Sequence, residues 1–173
     1  FNGNLSVSEH DLGIKGTGLD LVMDRTYNNL GGTTSIFGHG WTVSGGTNVS
    51  LTVLSDGSVF FNGPDGSQVG FAKNADGTFN APSGIDAGMV HNGDGTYTLT
   101  YHGSGETWKF TSTGTLTSHA DRNNNAITYA YAGPGGALSA ITDTQGRVTT
   151  LAYNASNLVS SMTDPAGRLY QYG

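Results

Sequence analysis

Apolar and polar residues alternate with a period of two in short runs along the chain. Val49, Leu51 and Val53 fall on one side of a run, with Ser50 and Thr52 on the other. Tyr97, Leu99 and Tyr101 alternate with Thr98 and Thr100. Trp108 and Phe110 flank Lys109, and Ile127, Tyr129 and Tyr131 alternate with Thr128 and Ala130. Such alternation is the signature of strands with one buried face. Turn dipeptides separate the runs. Asp-Gly stands at Asp56-Gly57, Asp65-Gly66, Asp76-Gly77 and Asp94-Gly95, and Asn-Gly at Asn2-Gly3, Asn62-Gly63 and Asn92-Gly93. These pairs predict hairpins, with type I′ turns that need positive φ at both central residues. No segment carries a helical period, and the frequent glycines would interrupt one. The expected fold class is all-β, an array of antiparallel hairpins.

The last third repeats. Leu116, Asp121, Asn124 and Tyr131 correspond to Leu138, Asp143, Gly146 and Tyr153, and these to Val159, Asp164, Gly167 and Tyr172. The aspartates are 22 and then 21 positions apart. Each unit reads as an apolar strand, an Asp-x-x-Gly or Asp-x-x-Asn turn, and a strand ending in aromatics. One hairpin is marginal in water, so the units are expected to stack. The third unit stops near its own end at Gly173, and the chain opens on Phe1 rather than Met. Both features read as a piece cut or processed from a longer array.

The units Asp143-Thr144-Gln145-Gly146-Arg147 and Asp164-Pro165-Ala166-Gly167-Arg168, each followed by Tyr, resemble RHS/YD repeats. The N-terminal part resembles the domain that often precedes them. It carries Gly3-Asn4-Leu5, the acidic stretch Glu9 to Asp11, Arg25-Thr26-Tyr27 and Phe37-Gly38-His39-Gly40-Trp41. The resemblance implies an N-terminal RHS-associated β domain over 1–113 and about three repeats over 114–173. It further implies a curved or spiralling sheet that forms part of a hollow shell, around a C-terminal toxin or in a surface contact module. The first unit departs from the pattern: Arg122-Asn123-Asn124-Asn125 replaces the Gly-Arg ending while keeping turn chemistry.

Composition narrows the function. Charged residues are 12% of the chain, the net charge is −6, and no basic run exists, so a nucleic-acid footprint is lacking. No apolar run is long enough for a membrane-spanning helix, and no membrane insertion is expected. Cysteine is absent, which removes disulfides and thiolate chemistry. Asp outnumbers Glu eleven to two, a turn-rich rather than helical balance.

Candidate chemistry reads as structural. His10, His39, His91, His102 and His119 show no metal-pair spacing. Asp121 opens a segment like a calcium loop, but Ala126 and Ala132 stand where Gly and Glu are needed. Glu9, His10 and Asp11 form the least ordinary polar cluster. Gly13, Gly16 and Gly18 lack a phosphate-loop setting and read as bends between strands. Sequons occur at Asn4, Asn48 and Asn154. No catalytic, cofactor-binding or metal residue is assigned, and no cofactor is expected. Trp41 reads as a core anchor below a glycine bend.

The expected role is a non-enzymatic β-scaffold of a secreted or cell-surface protein. Its partners would be further repeats of the same polypeptide, or neighbouring copies, joined through sheet edges. The strand around Leu169 to Tyr172 is the expected joining edge. A fibre subunit built by edge pairing and a carbohydrate-binding module, using Trp41, Trp108 and the tyrosines on a cell-surface ligand, stand as the alternatives.

Overall fold

A computed structural model describes residues 3–32, 34–44, 48–64 and 67–173. The chain is all-β. In order, the strands are β1 (Ser6–Ile14), β2 (Leu21–Asn28), β3 (Thr34–Ser35), β4 (Gly38–His39), β5 (Trp41–Val43), β6 (Ser50–Val53), β7 (Val59–Asn62), β8 (Gln68–Lys73) and β9 (Phe79–Asn80). Then follow β10 (Ala87–His91), β11 (Tyr97–Tyr101), β12 (Thr107–Phe110), β13 (Leu116–Ala120), β14 (Ala126–Tyr131), β15 (Leu138–Thr142), β16 (Val148–Tyr153), β17 (Val159–Thr163) and β18 (Leu169–Gln171). Among the described residues, one 3₁₀ turn, Pro134–Gly136, interrupts them.

β10 to β18 form one nine-stranded antiparallel meander in sequence order. It runs without a break across position 113, so the three repeats extend a sheet that begins before them. β6 to β9 form a four-stranded meander, β1, β2 and β5 a three-stranded sheet, and β3 and β4 a small hairpin. One hydrophobic cluster joins the three larger sheets. It includes Leu12, Leu21 and Met23, then Leu51, Phe61 and Phe71, then Leu99, Phe110, Ile141 and Met162. Phe61 lies against Trp108 and Phe110, with ring centroids 6.0 and 6.1 Å apart. Each buried Leu, Ile, Phe or Met side chain of this kind stabilises the fold by roughly 1.5–3 kcal/mol.

The alternation read from the sequence sets these faces. In β14, Ile127 and Tyr129 are buried while Thr128 and Ala130 are exposed. In β6, Leu51 is buried but Val53 is 37% exposed, because it lies next to the turn at the end of its hairpin.

The turns correct one expectation. Asp56, Asp76 and Asp94 do not adopt positive φ; only the glycines after them do, at 83°, 88° and 85°. In the first, Gly57 N donates to Leu54 O and Leu54 N to Ser58 O. This is a three-residue loop, a type I turn closed by a left-handed glycine, and not a two-residue type I′ turn. The aspartate prefers this setting because its Oδ1 accepts the N–H two residues on, from Ser58, Thr78 and Thr96 respectively. The Asp65-Gly66 turn lies outside the described residues, as does Asn2.

A bulge recurs in the meander. Registers shift at Lys109/Phe110, Ala130/Tyr131 and Ala152/Tyr153. The extra residue opposite is Thr117, Ser139 or Ser160. Thr117 Oγ1 donates to Lys109 O at 3.0 Å and Ser139 Oγ to Ala130 O at 3.0 Å, so the hydroxyl satisfies a carbonyl that the bulge frees.

Candidate interaction edge

The repeat aspartates stand first in their turns, and each organises one. Asp143 Oδ1 accepts from Gln145 N and Arg147 N, both at 2.9 Å, and Oδ2 from Arg147 Nε at 2.6 Å. Asp164 repeats this with Ala166 N, Arg168 N and Arg168 Nε. Both carboxylate side chains are fully buried. Burial alone would raise their pKa values. The backbone N–H groups and the arginine outweigh it and hold both below the ordinary carboxylate range. Asp121 keeps the turn without arginine: Asn125 Nδ2 donates to Oδ2 at 2.7 Å, and Asn124 takes the left-handed φ of 63°. Arg122 turns away to donate to Ser104 O and Gly103 O.

These turns share one edge of the meander, and the loop between β1 and β2 straps across two of them. Thr17 N donates to Thr144 Oγ1 at 2.8 Å, and Arg147 Nη2 donates to Lys15 O. Gly16 and Gly18 are therefore more than bends. A Cβ on Gly16 would stand 2.1 Å from Leu19 O of its own loop and 2.5 Å from Thr144 Oγ1, and one on Gly18 would overlap the Asp121 carboxylate. Sequence reasoning missed this role because the repeat turns lie more than a hundred residues away.

The acidic stretch near the N-terminus is split between two partners. His10 Nδ1 meets Asp24 Oδ1 at 2.5 Å. Asp11 takes a two-pronged bond from Arg25, whose side chain is 15% exposed. Glu9 is exposed opposite Arg25 in the ladder. The Arg25 guanidinium also lies 4.6–5.0 Å from the ring centroids of Phe37, Trp41 and Tyr172. Burial, with the Asp11 charge beside it, pushes the Tyr172 phenol up to about 12. This box ties the N-terminal sheet to the last repeat, as does the bond from Val159 N to Ile36 O.

Trp41 is accordingly not a core anchor. It is half-buried at the rim of its sheet, stacked with Arg25 and Tyr27, while Val43 on the same face enters the core. The glycine bend before it stands: Gly38 and Gly40 have φ of 104° and 79°, and a Cβ on Gly40 would lie 2.7 Å from the Tyr27 ring. Trp108, the other tryptophan, is 6% exposed and stacks on His119 at 3.6 Å.

The remaining histidines are dispersed. His39 sits on β4 near Thr34, His91 stacks on Tyr97, and His102 bonds Asp86 at 2.8 Å. Among the described residues, no three His, Cys, Asp or Glu side chains are grouped to hold a metal.

β18 is the last strand of the meander. Tyr172 N donates inward to Ser160 O. Since N–H directions alternate along an antiparallel strand, Tyr170 N also faces β17, while the Leu169 and Gln171 N–H groups face outward. Leu169 is 58% exposed.

Comparison with known proteins adds two matches. Residues 1–71 match a family described as a domain of unknown function (DUF6531), and residues 134–169 match the RHS Repeat family. The second match spans the turns at Asp143 and Asp164. The chain is also 40% identical over 76 residues to the tRNA nuclease WapA of Bacillus subtilis (strain 168). The same identity and length are found with the tRNA(Glu)-specific nuclease WapA of Bacillus subtilis subsp. natto and the tRNA3(Ser)-specific nuclease WapA of Bacillus spizizenii. Each match covers 44% of this chain but 3% of the relative. No helix among the described residues is long and apolar enough to cross a membrane.

Proposed function

We propose that this chain, whose residues 134–169 match the RHS Repeat family, is a non-enzymatic wall segment of a larger RHS/YD-repeat scaffold. The wall would curve into a shell or contact module outside the cell or on its surface. In this reading the N-terminal sheet caps the start of the wall, and the meander is the wall itself, growing by one hairpin per Asp turn. The observation that carries it is the outward-facing Leu169 and Gln171 N–H pair on β18, in line with eight strands already added in sequence order. An unpaired edge recruits another strand. The buried turn carboxylates serve the wall: Asp143 and Asp164 are saturated by turn donors, which leaves them no part in acid–base chemistry.

The named relatives act on tRNA as whole proteins. The small fraction matched fits a scaffold part of such nucleases. A second reading, a fibre subunit, is favoured by the second edge: β1 also ends its sheet, with Leu5 and Val7 exposed at 56% and 38%. Copies would then join β18 to β1.

The test is a chain extended after Gly173 by a copy of its own residues 153–173, which continues the 21-residue period. Amide exchange at Leu169 and Gln171 should be fast in the parent and slowed at least tenfold in the extended chain. Equal exchange in both would sink the wall reading. Protection that appears in the parent only as concentration rises would favour the fibre.

A further inference from the structure

The three Asp turns have the same backbone but different company. The Asp121 turn is covered by Gly18. The Asp143 turn holds Thr17 through Thr144 and Gln145, and holds Lys15 O through Arg147 Nη2. The Asp164 turn is built as fully: Arg168 Nε donates to Asp164 Oδ2 at 2.5 Å, which fixes the guanidinium as in the turn before it. Yet no carbonyl of the described residues meets the Arg168 Nη groups. The Arg168 side chain is 67% exposed, against 39% for Arg147.

We infer that the Asp164–Arg168 turn is a docking socket for a glycine-bearing hairpin loop of a partner polypeptide, held through donation from Arg168 Nη to a main-chain carbonyl of that loop. The occupied turn next to it supplies the chemistry. Arg147 holds a neutral carbonyl because its charge is already matched by Asp143. Arg168 is matched by Asp164 in the same way, so the socket favours a dipolar acceptor over a free anion. Glycine is needed for the tight bend that presents this carbonyl: a Cβ on Gly16 would stand 2.1 Å from Leu19 O of its own loop. The two sockets differ in one respect. Pro165 stands where Thr144 does, so the new occupant finds no hydroxyl to accept its N–H and is held through its carbonyl. Docking here is independent of strand addition at β18, which uses Leu169 and Gln171 backbone groups.

The probe is a backbone-cyclised peptide carrying residues Ile14–Leu21, titrated into the ¹⁵N-labelled full chain. The expected result is a saturating shift of the Arg168 Nε–H and of the Gly167 and Arg168 amides, with Thr144 and Arg147 unmoved. Arg168→Ala should weaken binding about tenfold, the factor carried by one charge-assisted hydrogen bond. Arg168→Lys, which keeps the charge but not the fork, should weaken it similarly, and a Gly16→Ala peptide should fail to bind. No shift at Arg168, shifts confined to Thr144 and Arg147, or equal binding by Arg168→Lys and by the Gly16→Ala peptide would each overturn the inference. The circular dichroism spectrum of each variant confirms that it is folded before its binding is scored.

Discussion

Gly18 lies against the Asp121 carboxylate with no room between them for a side chain. The contact joins the β1–β2 loop to the first repeat turn across more than a hundred residues of chain. Gly18 also has φ of 78°. Gly18→Ala should therefore lose about 1–2 kcal/mol from backbone strain alone, and more from the overlap. The denaturation midpoint should fall, and trypsin should cut after Lys15 faster than in the parent. An unchanged midpoint with unchanged cleavage would show that the strap does not depend on this contact.

The repeat aspartates should matter more than the Asp-Gly aspartates. Asp143→Ala removes three hydrogen bonds at a buried side chain and strands the Arg147 fork, a loss of about 1–3 kcal/mol. Asp56 is exposed, and its carboxylate accepts from Ser58 N, so Asp56→Ala should shift stability by about 0.5 kcal/mol. Urea melts of the two variants compare them directly. Equal losses would show that the buried Asp–Arg turn is not the stronger unit.

The hairpin array was legible in the chain because period two and turn residues are local signals. Asp121, Asp143 and Asp164 fell into register for the same reason. The turn type was misjudged because Asp-Gly suits both a two-residue and a three-residue loop; Asn74, first in its type I turn, is a residue favoured there, whereas Leu54 in the same place carries no such mark. The strap was not legible, because Gly16 and Gly18 look like any bend until the repeat turns arrive beside them. Nor was the Arg25 box, which assembles Asp11, Phe37, Trp41 and Tyr172 from four separate segments. The hydroxyl at each bulge, Thr117 and Ser139, had a signal: a Ser or Thr directly after the apolar residue that opens the strand.

Two pH regimes should separate. The pKa of His119 is lowered, chiefly by burial, although Glu106 and Asp121 pull it upward. The unfolded chain then binds the proton more readily than the folded one below its ordinary value of 6.5. Stability is thus full above that value and falls as pH drops toward the folded pKa. His119→Phe keeps a ring on Trp108 and should flatten the melting temperature between pH 7.5 and about 5.5. Asp143 and Asp164 act lower. Their folded pKa values lie below 3.8, so their contribution is present above it and disappears as pH falls further. A variant that keeps the full parental slope between neutral pH and about 5.5 would remove His119 from the account.

Trp41 and Trp108 should part company. Trp41→Ala loses contact with Arg25 and Tyr27 at a half-buried rim, about 1–2 kcal/mol. Trp108→Ala empties a site that is 6% exposed and should lose about 3–5 kcal/mol. Thermal melts of both decide the matter. A larger loss at Trp41 would mean that the Arg25 box, rather than the common core, holds the N-terminal sheet in place.

The outer edge of β18 offers the most direct test of how the chain meets its neighbours. Tyr170 N faces β17, so Pro at Tyr170 would break the existing ladder and destabilise the last hairpin. Gln171 N faces outward, and Pro there removes a donor that the chain itself does not use. The residue before it, Tyr170, is already extended, as a residue preceding Pro prefers. Gln171→Pro should therefore melt close to the parent yet associate less. Tyr170→Pro should melt lower, because Met162 and Tyr170 are paired in the ladder. Sedimentation over a concentration range, run beside thermal melts, reads both effects. If parent and Gln171→Pro sediment alike as monomers at every concentration, association through β18 is excluded for the isolated chain. If Gln171→Pro instead melts as low as Tyr170→Pro, its N–H already serves the fold and the assignment of the outward pair is wrong.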